Sequence, residues 1–182
     1  MEIRAYDESY LNTAQDILGH AVDFAVLTLG LEPDVFGSSF AVSDISKQFA
    51  SGNPRYVAGT NGCELAREVL ISTHTSFRDK EDAMYLDKSP EYWSGWALAF
   101  YQWYSCRSFM DILNAVPISE IIAMYPIYHE MDIMHFADQM KNRLSKAYPN
   151  IKLKTIRQNC GFSQSELAAK SGVALRQIQL FG

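Results

Sequence analysis

The sequence predicts an all-α protein, a helical body followed by a short C-terminal helical module. Apolar residues recur at three- and four-residue steps in several windows, alternating strand patterns are scarce, and serine, proline and glycine stand where helices start and stop. With 182 residues, 48% of them hydrophobic and 20% charged, the chain has ample apolar surface for a core and no compositional case for disorder. It is too short for a large multidomain enzyme, since domains usually run about 100–200 residues.

Leu11, Ala14, Leu18, Ala21 or Val22, Ala25 and Leu29 have the period of an amphipathic helix, and Gly30 supplies its C-terminal stop. Pro33 fits the first turn of a second helix, and VFGSSFAVSDISKQFA reads as one interrupted or two short helices closed by the Gly52-Asn53-Pro54 turn signal. Helical spacing returns from Cys63 to Ser72 through Leu65, Val69 and Leu70, and HTSFRDKEDAMYLDK reads as a surface connection. Ser89-Pro90-Glu91 combines an N-cap, a first-turn proline and an early carboxylate, opening a helix predicted over EYWSGWALAFYQWYSCRSFMDIL. Pro117 and Pro126 punctuate ISEIIAMY, and a long helix is predicted from about Ile127 to Lys146 with the stripe Ile133, Phe136 or Ala137, Met140 and Leu144.

Charge divides the chain more sharply than composition does. Residues 150–182 carry Lys152, Lys154, Arg157, Lys170 and Arg176 against Glu166 alone, a net of +4, whereas residues 1–149 carry −9. Around Ala147-Tyr148-Pro149-Asn150 the charge changes sign and proline discourages helix continuation, so an acidic helical domain (1–149) and a basic module (150–182) are expected. Cys63, Cys106 and Cys160 form no CxxC pair, so neither a disulfide framework nor a structural zinc site is indicated and a cytoplasmic setting is expected. The N-terminus is acidic and polar rather than signal-like, and the apolar runs fall short of the roughly 18–20 residues a membrane span needs; no membrane association is expected.

The tail IKLKTIRQNCGFSQSELAAKSGVALRQIQLFG matches a Cro-like helix-turn-helix where packing demands it. Leu167 is apolar, Ala168 is small where two helices cross, Gly172 makes the turn, and Val173, Ile178 and Phe181 fill the inner face. A supporting helix is expected over Ile151 to Asn159. Ser163 and Glu166 form a capping box, and Ala174 to Phe181 is the predicted recognition helix. Gln164 is placed to meet a phosphate, and Arg176, Gln177 and Gln179 to meet base edges or backbone oxygens, with Lys152, Lys154, Arg157 and Lys170 adding phosphate contacts. The chain stops at Gly182, where Cro-like domains continue through further helices. A truncated module that leans on the body or a partner is therefore expected.

Other features carry less chemistry. Trp93, Trp96, Phe100 and Trp103 form a helical stripe expected in the core, while Tyr101 and Tyr104 lie partly off it as candidate stacking or interface residues. His129, Asp132 and His135 resemble a metal site only superficially, since two histidines six apart diverge around a helix. GNPRYVAGTNG has the glycines of a phosphate loop but neither its lysine nor its spacing, and reads as a structured surface loop. No GxSxG, P-loop or dinucleotide fingerprint appears, so neither catalysis nor a cofactor nor a metal is expected. Glu64, Glu68, Asp79, Glu81, Asp82, Asp87 and Glu91 read either as a solvated face or as a surface for a basic partner.

GNPRYVAGTNGCELAREVL, EYWSGWALAFYQWYSCRSF and the helix-turn-helix segment together resemble a family of helix-turn-helix proteins carried by gut bacteria, their phages and mobile elements. Its longer members resemble transcriptional regulators; the shortened arrangement is similar to type II-A anti-CRISPR proteins, inhibitors of Cas9. The resemblance implies a bacterial cytoplasmic protein that binds Cas9 or the Cas9–guide RNA complex through its acidic body, blocks target DNA binding or cleavage without chemistry, and touches DNA or guide RNA phosphates through the basic tail. The alternative is a DNA-binding regulator or antitoxin-type repressor acting as a homodimer.

Overall fold

Leu11–Asp23 forms α1 because it offers apolar groups to neighbours on several sides: Leu11, Ala14, Ile17, Leu18, Ala21 and Val22 are all buried. The structure, a computed structural model, describes residues 3–83, 87–148 and 153–181. The helical run continues to Leu29 as expected, but Phe24–Thr28 is a π-helical turn, with Leu29 N bonded to Phe24 O at 2.9 Å, and Gly30 ends it at φ +76°. The region expected as one or two helices is two, α2 (Pro33–Val42) and α3 (Asp44–Ala50). They part at extended Ser43, whose Oγ accepts from Ser46 N at 3.1 Å and starts the second. The proline turn leads into α4 (Pro54–Val57), and α5 (Gly62–Ser72) begins where Asn61 Oδ1 accepts from Glu64 N at 2.9 Å.

Helix α6 (Pro90–Ser105) starts at Ser89, as the sequence predicts, with Ser89 Oγ accepting from Tyr92 N and donating to Asp23. It does not run on to Leu113. Cys106 adopts a left-handed conformation (φ 55°), and α7 (Phe109–Ala115) begins again from the Ser108 cap. The break turns Phe109 into the core, where its ring meets Phe40 at 4.7 Å and Phe49 at 5.7 Å; that aromatic burial outweighs helix continuity. Helix α8 (Ile118–Tyr128) passes through Pro126, and α9 (Ile133–Ala147) starts later than Ile127. Only two residues of α8 follow the proline, and Asp132, whose Oδ1 accepts from Met134 N at 2.8 Å, sets the true start of α9. The chain ends in α10 (Leu153–Asn159), α11 (Gln164–Ser171) and α12 (Leu175–Phe181).

α1 and α6 pack together through glycines. A Cβ on Gly95 would lie 2.9 Å from Gly19 Cα and nearer still to the Leu18 carbonyl, so the backbones approach more closely than any side chain allows. Helix α6 is consequently buried on most of its circumference, which changes the expected stripe: Trp93 and Trp103 are buried, whereas Trp96 and Phe100 are half-buried. The stripe of α9 is in the core, with Phe136, Ala137, Met140 and Leu144 buried and Ile133 packed against them. No single helix among the described residues is long and apolar enough to cross a membrane. The apolar pair α7 and α8 meets at 77° and turns Phe109, Ile112, Ile118 and Ile121 into the core.

Candidate nucleic-acid interface

Helix α11 starts where the capping box was predicted. Ser163 Oγ accepts from Glu166 N at 3.1 Å and Glu166 Oε2 accepts from Ser163 N at 2.8 Å, so two orphan amides of the first turn are satisfied reciprocally. These bonds hold the Glu166 carboxyl below its ordinary pKa. At the other end Gly172, at φ 70°, takes the left-handed position where a Cβ is costly, and its N–H donates to Ala168 O at 3.0 Å. Leu167 on α11 and Ile178 on α12 are buried, outside the main core cluster. Val173, expected to face inward, is 41% exposed instead, in the turn that follows the left-handed Gly172.

Arg176, Gln177 and Gln179 are exposed on α12. At about 100° per residue Arg176 stands almost diametrically opposite buried Ile178, with the two glutamines flanking that buried line. Lys154 and Lys170 are exposed as well; Lys170 Nζ lies 4.5 Å from the Phe162 ring centroid, which fixes its stem while leaving the charge in solvent. Gln164, first in α11, is half-exposed.

Arg157 does not join that face. Its Nη1 donates to Phe162 O at 2.6 Å and Phe162 N donates back to Arg157 O at 3.1 Å, so this guanidinium ties α10 to the α10–α11 connection. Lys152 and the Phe181 side chain lie outside the described residues. Ser163→Ala is expected to remove one side of the capping box, costing about 1 kcal/mol. Circular dichroism on the full chain should register less helix. Because Glu166 titrates below its free value, its share of the cap is present above the ordinary carboxylate range and is lost as pH falls through the lowered pKa. Glu166→Gln should therefore keep the cap but remove that acid dependence.

Several acidic candidates of the body are paired with basic side chains, although Glu64, Asp79 and Asp82 stay exposed. Arg67 draws in Asp79 (Nε to Oδ1, 2.7 Å) and Asp82 (Nη1 to Oδ1, 2.6 Å) and donates to Lys80 O, fastening residues 79–82 to α5. The hydrogen bond from Arg67 lowers the Asp79 pKa. Glu68 pairs with Arg55 at 2.9 Å and Glu64 accepts from Thr60 at 3.1 Å. Glu81 and Asp87 are exposed, and Glu91 is half-exposed. Tyr101 corrects its assignment outright: it is 1% exposed, burial pushes its hydroxyl up to about 12, and it cannot meet a partner. Tyr104 is half-buried, with the Arg4 guanidinium 4.5 Å from its ring centroid.

A feature the sequence stripe concealed is a cleft of about 580 Å³ between the start of α6 and the α8–α9 junction. Trp96, Tyr125 and Tyr128 wall it, and Trp93 and Tyr125 meet edge to face at 5.7 Å. His129 and Asp132 also line it, the first held by the Tyr125 carbonyl at 2.7 Å and the second committed to capping α9. Among the described residues no group of three or more histidines, cysteines or carboxylates stands where it would hold a metal ion. Compared with protein-family models, curated proteins and solved structures, the chain matches none.

Proposed function

We propose that the protein is a sequence-specific DNA-binding regulator of the antitoxin or repressor type, in which α11 and α12 act as a Cro-like helix-turn-helix. The observation that carries the reading is the exposure of Arg176, Gln177 and Gln179 on a short helix that buries Ile178 and follows a capped helix and a left-handed glycine turn. Arg176 suits guanine and the glutamines suit adenine, while Gln164, Lys154 and Lys170 supply phosphate contacts. A second copy of the chain would place two such helices on half-sites about one helical turn apart.

A second reading, inhibition of Cas9, is favoured by the net charge of −9 over residues 1–149, which suits a positively charged nucleic-acid channel. One experiment separates the two. The full chain is mixed with duplexes enriched by it from a randomised pool, and in parallel with guide-loaded Cas9 and a labelled target duplex. The regulator reading expects a salt-sensitive shift by the protein alone. Failure to enrich any sequence, together with loss of the Cas9-bound band, would replace it with the inhibitor reading.

A further inference from the structure

Cys106 and Cys160, 54 positions apart, meet where the C-terminal helices touch the body. Cys106 closes α6 in a left-handed conformation that, among the described non-glycine residues, only His74 shares, and it is 3% exposed. Cys160 follows α10 and is half-buried; its Sγ lies 3.9 Å from the Cys106 carbonyl oxygen. Both line a cavity of about 130 Å³ with Ile3, Tyr104, Arg157 and Phe162, large enough for a small oxidant. We propose that Cys106 and Cys160 are a redox-responsive thiol pair that hydrogen peroxide closes into a disulfide, fastening α10–α12 to the body.

The two thiols are unequal. Hydrogen bonding from Cys160 and the nearby Arg4 guanidinium hold the Cys106 thiol below its usual pKa, while the same bond and burial push Cys160 well up. Thiolate character selects the nucleophile. Cys106 Sγ attacks one peroxide oxygen, the O–O bond breaks, and hydroxide leaves and is protonated to water, giving a sulfenic acid. Cys160 Sγ then attacks Cys106 Sγ; the S–S bond forms, the S–O bond breaks, and the departing hydroxide takes the Cys160 proton. Two thiols and one peroxide become one disulfide and two waters, and a dithiol reductant reverses the change by exchange. Cys63 is the internal control, since it is 1% exposed in α5 and burial raises its thiol pKa.

The thiol pair stands independently of what the module binds, because its test reads chemistry alone. The full-length protein is treated with hydrogen peroxide, denatured, titrated for free thiols and mapped by peptide mass spectrometry. Free thiols should fall from the three of the sequence to one, with a 106–160 cross-link within a single chain. Cys63→Ser should still form that link. Cys160→Ser should stop at a sulfenic acid on Cys106, trapped by dimedone, and Cys106→Ser should give neither product. Three thiols left free, a link through Cys63, or links between chains only would overturn the proposal.

Discussion

Replacing Arg176 and Gln177 together with alanine should weaken binding to an enriched duplex by about a hundredfold or more, since each direct base contact is worth about 1–3 kcal/mol. Both side chains are exposed while Ile178 of α12 is buried, so the fold should survive and the circular dichroism spectrum should be unchanged. Lys170→Ala provides the contrast. Losing a phosphate contact weakens binding to all sequences alike and lowers the salt dependence, without changing which sequence is preferred. Full affinity retained by the double variant would remove α12 from the interface.

Gly95→Val should cost about 3 kcal/mol or more, enough to remove much of a typical domain's stability of about 5–15 kcal/mol. Intrinsic propensity points the other way, because a glycine inside a helix is worth about 1 kcal/mol less than alanine. Packing decides: the atoms a side chain would meet at position 95 are the Leu18 carbonyl and Gly19 Cα, backbone that cannot swing aside. Gly30→Ala is the informative comparison, since nothing lies within 4 Å of that position and only its φ of +76° is strained, a cost of about 1–2 kcal/mol. Urea unfolding of the two variants should separate close approach from backbone strain.

What the sequence made legible is what is decided locally. Ser89-Pro90, Ser163 with Glu166, and Gly172 each act within one helical turn, and each stands in the structure as its chemistry requires. The period of α9 was equally readable because one face alone packs, burying Phe136, Met140 and Leu144. Decisions made by distant residues were not readable. The break at Cys106 follows from Phe109 seeking Phe40 and Phe49, which lie 60 or more positions away in the chain. Tyr101 is buried although it lies off the stripe, because a helix packed on several sides buries residues off any single stripe, and Trp96 reaches the cleft for the same reason. The inward turn of Arg157 depends on a carbonyl in the following connection, which no periodicity marks.

Amide chemical-shift mapping of the isotopically labelled full chain against an enriched duplex shows whether α11 and α12 meet nucleic acid. If they do, perturbations should concentrate at Gln164, Lys170, Arg176, Gln177 and Gln179 and fade as salt rises. Perturbations centred on α5 and residues 79–82, or none in α12, would place the interface elsewhere.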